Sequence, residues 1–457
     1  MSAVATFLEA ISGLDVETQP QKVRRRSRDF YWYSPVLKRE LDHCQADAVV
    51  SASDEAEVVR VLREAFRHDV PVTVRGAGTG NYGQAMPLKG GIVLDLSRLN
   101  QVIGIEQGSA RVQAGARMMD IDLAAHPSGQ ELRFHPSTHR TATIGGYVAG
   151  GSSGIGSITH GLLRDRGNII AARIVTMEAE PRILTLHGDD IQKVNHAYGT
   201  NAVITELTVP LAPAYPWVEL VAEFDDFMPA VRFADAFSGE PGILKKLVTP
   251  IAAPVPAQYL FRDQVGPDKS VMLLMVAPFA MDATRDMLAE HGGRIVKQQA
   301  YALDERSVPL FEYSWNHTTL HALKYQRDIT YLQVLFPPPN HVALVEQMCA
   351  RYGDEVPMHL EFVRFGNQIA CFGLPLVRFT TEERLNEIIA DYNASGCPIF
   401  NPHAYTLEEG GMKRVDPVQL AFKRETDPKG LLNPGKMIGW DNPAYDESVN
   451  DRALYER

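Results

Sequence analysis

Cysteines are few and long apolar runs are missing, and these two absences exclude several classes of protein. Four cysteines among 457 residues lie far apart, without the paired spacing of a disulfide framework or a zinc ribbon. No run reaches the roughly eighteen apolar residues of a membrane-spanning helix, and the N-terminal segment lacks the basic and apolar regions of a signal peptide. We therefore expect no transmembrane segment and a cytoplasmic location.

A dense basic tract is missing as well. The net charge of -11 disfavours nucleic acid or an anionic membrane surface as the main partner. The cluster Arg24–Arg26 precedes a charged segment instead of the apolar core of an export signal, so we expect a solvated turn there. Apolar residues make up 45% and charged residues 22%, as in ordinary globular proteins, and the length predicts two or three domains.

The first half of the chain alternates β-branched runs with helical patterns. Residues 53–69 predict an amphipathic helix, with Ser53 as the N-cap and with Val58 and Leu62 at helical spacing. Aromatic and helical segments begin near residue 213, so we expect a domain boundary there. Strands are predicted over residues 47–52, 71–75, 91–96, 102–106, 110–115 and 168–177, and helices over residues 311–328 and 417–428.

A glycine-rich loop, Arg75–Gly83, is the first candidate site. Its glycines match the G-x-G-x-x-G pattern of a Rossmann dinucleotide site, which requires a helix to start at the third glycine. Pro87 and the pair Gly90-Gly91 make that helix improbable, so the Rossmann interpretation is rejected. Unobstructed backbone N–H groups can instead bind a pyrophosphate as an anion nest. The alternative is an ordinary turn between two strands.

A second glycine-dense stretch, Thr143–Gly161, favours the ligand interpretation. Small residues over so long a segment cost chain entropy, and they are expected where the backbone passes close to a flat ligand.

Four motifs then occur in order along the chain: R-G-A-G-T at Arg75–Thr79, T-I-G-G at Thr143–Gly146, the pair Arg164-Asp165, and L-N-P-G-K at Leu432–Lys436. In these motifs the chain resembles the FAD-binding oxidoreductases of the vanillyl-alcohol oxidase (PCMH-type) superfamily, especially the glycolate oxidase and D-lactate dehydrogenase branch. The resemblance implies an α+β fold, in which a two-part PCMH-type FAD-binding domain carries an α+β substrate (cap) domain with an antiparallel sheet. The implied division is an FAD-binding domain over residues 1–213, a substrate domain over 214–414, and a C-terminal return to the FAD domain over 415–457.

The resemblance also implies which residues bind FAD. The first loop holds the pyrophosphate, the second stretch lines the flavin and ribityl chain, Ile204 meets the adenine portion, and Asn433 approaches the flavin. Relatives that attach FAD covalently through the first loop have a histidine where Thr79 stands, so FAD is predicted to bind non-covalently. The implied cofactor-binding residues are Arg75, Gly76, Ala77, Gly78, Thr79, Gly80, Asn81, Tyr82, Pro136, Ser137, Thr138, Thr143, Ile144, Gly145, Gly146, Ser152, Ser153, Gly154, Gly156, Ser157, Ile204 and Asn433.

On the substrate side the chain departs from the hydroxy-acid branch. Residues 363–370 and 408–411 lack the histidines of that branch's metal-binding motifs, so no metal site is expected. Asn316, His317 and Thr318 stand where the branch has an arginine after the tryptophan matching Trp315, so the substrate need not be a simple carboxylate. The candidate catalytic residues are His317, His321, Tyr331, Arg327 and His403, of which the first two share one helix face at i and i+4.

The resemblance implies an oxidase or dehydrogenase that transfers a hydride from a CH–OH group to flavin N5, while a His or Tyr takes the hydroxyl proton. The expected partner is a small-molecule alcohol or 2-hydroxy acid, and the electron acceptor stays open. Two alternatives remain: an NAD(P)H-dependent reductase on the same scaffold, and a non-catalytic FAD-binding subunit of an oxidase complex. The oligomeric state, including a homodimer, is open.

Overall fold

The computed structural model describes residues 2–151, 153–411, 417–442 and 444–445. No helix within these ranges is both long and apolar enough to cross a membrane. The helices are α1 Ala3–Ala10, α2 Pro20–Arg26, α3 Pro35–Leu41, α4 Glu55–Arg67, α5 Met118–Ala125, α6 Ile144–Gly150, α7 Ser157–His160, α8 Phe227–Gly239, α9 Met281–Glu290, α10 Asn316–Leu323, α11 His341–Tyr352, α12 Glu382–Ala394, α13 Pro417–Thr426 and α14 Ile438–Asp441.

The strands fall into two groups along the chain. Those of the first half are β1 Asp15–Glu17, β2 Ala48–Ser51, β3 Val72–Arg75, β4 Ile92–Asp95, β5 Val102–Glu106, β6 Ser109–Gln113, β7 Gln130–Leu132, β8 Ala171–Val175, β9 Ile183–His187 and β10 Val203–Pro213. Those of the second half are β11 Val218–Phe224, β12 Lys245–Ile251, β13 Ser270–Val276, β14 Arg294–Ala300, β15 Ile329–Tyr331, β16 Val334–Phe336, β17 Leu360–Phe365, β18 Gln368–Gly373 and β19 Leu376–Arg378.

Two sheets organise the first half. The order of the first sheet is β1-β2-β4-β3, with β2, β4 and β3 parallel and fully or mostly buried. The order of the second is β5-β6-β10-β8-β9, all antiparallel, and β7 pairs with the end of β10. A bulge in β10 separates Ile204 from Glu206, and such bulges re-aim side chains locally.

Antiparallel sheets organise the second half, in the orders β12-β13-β11-β14, β16-β18-β17 and β15-β19. Strand β13 is buried along its whole length because both faces of its sheet are covered. Successive side chains point to opposite faces, so Met272 and Leu274 join one hydrophobic core while Leu273 and Met275 join another. Full coverage explains why this strand is a continuous apolar run and not an alternating one.

The C-terminal segment packs against the first half. Val72 donates its N–H to Leu431 O at 2.8 Å and accepts from the N–H of Asn433 at 2.8 Å. The fully buried Lys423 donates to Thr200 O and to the Asp427 carboxylate, each at 2.8 Å. The bonds of Leu431 and Asn433 tie this segment to strand β3, which leads into the glycine-rich loop, and the bond from Lys423 ties it to Thr200.

Local expectations from the sequence are mostly confirmed, with three corrections. The helix predicted over residues 311–328 is limited to Asn316–Leu323, because Trp315, with a φ of 50°, separates it from the 3-10 turn Leu310–Tyr313. Helix α4 begins at Glu55, and its N-cap is Asp54, whose carboxylate accepts the N–H of Glu57 at 2.8 Å. The prediction of Ser53 was wrong, because its hydroxyl instead donates to the Glu57 carboxylate. The expected turn at Arg24–Arg26 was also wrong, since these residues form the last turn of α2. No helix occurs in residues 76–91, which confirms the rejection of a Rossmann site.

Candidate active site

A cavity of about 480 Å³ lies between the two halves of the chain, a size typical of small-molecule sites. The first half contributes both glycine-dense segments, and the second half contributes the residues around helix α10. The second-half residues in the lining are Glu312, Trp315, Asn316, His317, Leu320, Gln333, Phe372, Phe400, Gly410 and Gly411.

The Arg75 side chain connects the first glycine-rich loop to a neighbouring segment by hydrogen bonds. Its buried guanidinium donates to the carbonyls of Arg28 and Ala77, and burial lowers its pKa. Gly78 has φ +68°, and a Cβ there would lie 2.2 Å from the Arg75 guanidinium. Glycine is favoured here because it adopts this left-handed backbone without strain, and a side chain would also displace the Arg75 guanidinium.

The same loop presents unpaired backbone donors to the cavity. In the described part of the chain, no protein acceptor takes a hydrogen bond from the N–H groups of residues 76–81, which line the cavity and are half-buried or buried. N–H groups that have no protein partner and face a cavity are available to water or to a ligand. Successive free donors of this kind form an anion-binding nest.

The two glycine-dense segments meet at Gly76. A Cβ on Gly76 would lie 2.0 Å from Thr143 Oγ1, so the loops can approach only because no side chain is present. The Thr143 hydroxyl is itself buried without a partner among the described residues. Next to it, Gly145 donates its N–H to Ala114 O at 2.8 Å, which fixes the start of helix α6.

Most residues predicted to bind FAD line the cavity. They are Arg75, Gly76, Ala77, Gly78, Thr79, Gly80, Asn81, Tyr82, Pro136, Ser137, Thr138, Thr143, Gly145, Gly146, Ser153 and Ile204.

The remaining predicted cofactor residues lie elsewhere. Ser152 is outside the described residues, and Ile144 is buried in a hydrophobic core. A Cβ on Gly154 or Gly156 would lie 2.2 Å and 2.1 Å from backbone oxygens, so these glycines allow two backbone segments to pack together. The Ser157 hydroxyl accepts the N–H of Gly154 at 3.1 Å and stabilises that packing.

Asn433 is not part of the described cavity lining, but it hydrogen-bonds to two residues that are. Its side-chain amide donates to Gln84 O at 2.8 Å and to Tyr198 O at 2.7 Å. Three residues later, the fully buried Lys436 donates to Gly83 O. Burial lowers the pKa of Lys436 to about 7, although nearby Asp29 opposes this effect. The L-N-P-G-K motif thus holds the end of the first loop.

Of the five predicted catalytic residues, His317 lines the cavity. Its Nδ1 lies 2.7 Å from a carboxylate oxygen of Glu312, which also lines the cavity. The ring is almost fully buried on the first turn of α10. Sequence reasoning missed Glu312, although an acidic residue five positions before a candidate base was a signal that could have identified it.

The other catalytic candidates lie outside the cavity lining. His321 Nε2 donates to Glu312 O, 3.1 Å away, and the ring stacks on Tyr313. Both ring nitrogens of His403 have partners, Ser34 Oγ at 2.8 Å and Tyr331 O at 3.1 Å. Burial lowers the pKa of His321 and of His403 to about 4.

Tyr331 is fully buried, and burial raises the pKa of its hydroxyl well above the usual value. Arg327 is exposed.

Several aromatic and polar residues of the lining belong to no recognisable sequence motif. Phe372 and Phe400 come from the second half, and Gln333 accepts a hydrogen bond from the Tyr82 hydroxyl at 2.8 Å. Phe30 and Tyr33 come from a segment before the first strand of the parallel set. Contacts between residues that are distant in sequence bring these side chains to the cavity.

The lining fits FAD on two independent observations. First, the free N–H groups suit the pyrophosphate. Second, Arg75 Nε and Thr143 Oγ1 are buried polar atoms without partners among the described residues. Each such atom destabilises the folded protein by about 1–3 kcal/mol unless a ligand or water pairs with it. A Cβ on the cavity-lining Gly150 would meet nothing within 4 Å, so there is open space beside the backbone. No group of three or more metal-ligating residues occurs in the described ranges.

The FAD binding domain family matches residues 46–185, the region that contains both glycine-dense segments. An uncharacterized FAD-linked oxidoreductase of Mycobacterium tuberculosis is 30% identical over 429 residues, covering 84% of this chain and 89% of the relative. The chain therefore belongs to the FAD-linked oxidoreductases, as the four motifs predict.

More distant relatives have named activities. The glycolate oxidase subunit GlcD of Bacillus subtilis is 24% identical over 439 residues, covering 86% of this chain and 89% of the relative. The D-lactate dehydrogenase of Archaeoglobus fulgidus is 30% identical over 175 residues, covering 36% and 38% of the two chains. The solved structure of alkyldihydroxyacetonephosphate synthase matches with a TM-score of 0.70 at 13% identity, over 94% of this chain and 85% of that one. This likeness confirms the α+β PCMH-type fold.

Proposed function

We propose that this protein oxidises an alcohol or a 2-hydroxy acid at its CH–OH group, using non-covalently bound FAD. The observation that carries the proposal is the His317–Glu312 pair, which lines the same cavity as the anion nest of residues 76–81. FAD, when bound, supplies the hydride acceptor.

His317 is the general base in this proposal. Glu312 accepts the Nδ1–H of the imidazole at 2.7 Å, so Nε2 is left as the lone-pair nitrogen that takes the substrate hydroxyl proton. The carboxylate then stabilises the imidazolium that forms, as a carboxylate does in other oriented histidine bases. Removal of the hydroxyl proton increases the negative charge on the oxygen, so the hydrogen on the adjacent carbon leaves more readily as hydride.

The chain's other residues orient the reactants and hold the cofactor. The N–H groups of residues 76–81 are the donors to the pyrophosphate, and Arg75 and Thr143 line the same cavity. Thr79 has no nucleophilic nitrogen for a covalent flavin link. Trp315 and Phe372 add apolar surface to the second-half side of the cavity lining, and apolar surface favours an apolar part of a substrate over water.

A three-part division of the chain accompanies this proposal: residues 1–213 bind FAD, residues 214–414 hold the substrate, and residues 415–457 return to the FAD-binding part. Of the last range, residues 415–416, 443 and 446–457 lie outside the described residues. The distribution of strands supports it, because no sheet mixes strands from before and after residue 213 in the described ranges. The bonds from Leu431 and Asn433 to Val72 support the return.

Anaerobic reduction of the bound flavin tests the proposal. We expect at least one member of a panel of alcohols and D- and L-2-hydroxy acids to bleach the flavin absorbance. His317→Gln should slow this bleaching by about 100-fold or more while the FAD content is unchanged. The same substitution at His321 tests the neighbouring candidate, and an equal loss there would contradict the assignment. Bleaching by NADPH but by no alcohol would instead indicate a reductase.

A further inference from the structure

The charges in the cavity are divided unequally between its two sides. Among the described residues, the ionisable groups that the second half contributes to the lining are Glu312 and His317. The other second-half side chains there are apolar or amides. The cations of the lining, Arg75, Arg140 and Arg164, all come from the first half.

Two of these arginines are engaged in holding backbone. The Arg75 guanidinium donates to the carbonyls of Arg28 and Ala77. Arg140 donates to the carbonyls of Asp304 and Ser307. A 2-hydroxy acid is ordinarily recognised by an arginine that binds its carboxylate bidentately, and the second-half side of the described lining offers no such residue.

Glu312 places a negative charge on the second-half side of the cavity. Its side chain is only 21% exposed and is held by His317 at 2.7 Å. A second carboxylate close to it would be repelled, because charge repulsion is screened less in a partly buried site than in water. A neutral hydroxyl group has no such penalty.

The same side of the cavity is rich in aromatic rings. The centroids of Trp315 and Phe372 are 6.4 Å apart, and those of Phe372 and Phe400 are 5.8 Å apart with an interplanar angle of 82°. All three residues line the cavity. A continuous aromatic surface of this kind favours packing of an aromatic or other apolar group.

We propose that the cavity selects an uncharged alcohol with an aromatic or otherwise apolar body, and that Glu312 is the specificity-determining residue that excludes carboxylates. This inference rests on the proposed function, since it names the substrate class of the same site. It assigns Glu312 two tasks, which are to orient His317 and to reject anionic substrates.

Calorimetric titration of the FAD-loaded protein with benzamide and benzoate tests the inference, because the two ligands have nearly the same shape and differ in charge. We expect benzamide to bind and benzoate to bind about tenfold more weakly or worse. Glu312→Gln should reduce this ratio strongly by improving benzoate binding. Glu305→Gln is the matched control, because that carboxylate is 71% exposed on a neighbouring loop, and it should leave the ratio unchanged.

Benzoate binding as tight as benzamide in the unsubstituted protein would overturn the inference, and so would a ratio that Glu312→Gln does not change. Failure of both ligands to bind would contradict the aromatic surface. If Glu312→Gln does not fold, the comparison in the unsubstituted protein still decides. The titration needs no turnover, so its result is distinguishable from a failure of the proposed oxidation, which appears as an unbleached flavin.

Discussion

The backbone N–H of Trp315 donates to the carboxylate of Glu361 at 2.6 Å, one residue before helix α10 begins. Trp315 has a φ of 50°, a conformation that costs about 1–3 kcal/mol outside glycine. The buried Glu361 also accepts from the Thr249 hydroxyl and lies 2.8 Å from His359 Nε2. This network sets the point from which α10 directs His317 into the cavity.

Glu361→Ala is therefore expected to destabilise the protein by about 3 kcal/mol or more, since it leaves several buried polar groups unpaired. Urea unfolding measures the change. Glu180→Ala is the control: this carboxylate is 75% exposed and pairs with Arg63 and Arg67, so its loss should cost less than about 1 kcal/mol. Equal effects of the two substitutions would contradict a structural role for the Glu361 network.

Gly76→Ala is expected to weaken FAD binding by about tenfold or more, because the new Cβ would lie 2.0 Å from Thr143 Oγ1 and force the two loops apart. Titration of the apoprotein with FAD, followed by flavin fluorescence, measures the affinity. Gly104→Ala is the matched control, since a Cβ there meets nothing within 4 Å. Unchanged affinity in the Gly76 variant would show that the loops do not need this close approach.

The flavin should be released completely when the protein is denatured. Thr79 offers no ring nitrogen for a covalent link, so we expect all yellow colour in the supernatant after acid precipitation. Flavin fluorescence that stays with the polypeptide band on a denaturing gel would demonstrate attachment through another residue.

Lys436 should give the stability a characteristic dependence on pH. Burial lowers its pKa to about 7 in the folded protein, whereas an unfolded lysine titrates near 10.4. Between these values the unfolded chain binds a proton that the folded protein does not, so this group makes the folded state more stable as the pH rises.

Measurement of the free energy of unfolding at several pH values, for the unsubstituted protein and for Lys436→Met, isolates this contribution. We expect the unsubstituted protein to gain a few kcal/mol relative to the variant between about pH 7 and pH 10. Lys429→Met, at a partly exposed lysine, is the matched control for loss of a lysine charge. A parallel pH dependence in the unsubstituted protein and the Lys436 variant would contradict the shifted pKa.

Much of the fold was predictable because its signals are local. The spacing of Val58 and Leu62 predicts helix α4, and the order of four short motifs predicts the PCMH-type FAD fold. Errors arose where two local choices have similar energies. Ser53 and Asp54 are both good N-caps, and only the geometry of the turn decides between them.

The site was predictable on its cofactor side and much less on its substrate side. Backbone donors require small residues in sequence, so residues 76–81 and 143–146 are visible as motifs. Side chains such as Glu312, Phe372 and Phe400 are ordinary residues in ordinary elements. They meet only because strands far apart in the chain pair with one another.

The amino-acid sequence by itself determined where two glycine-dense backbone segments lie, and from them it predicted a flat, diphosphate-bearing cofactor, because glycine's conformational freedom is a property of the residue itself. Only the tertiary structure decided that His317, and not His321 or His403, lines the cavity beside a carboxylate. A histidine's role depends on what surrounds its ring, and that environment is assembled from contacts between residues that are distant in sequence.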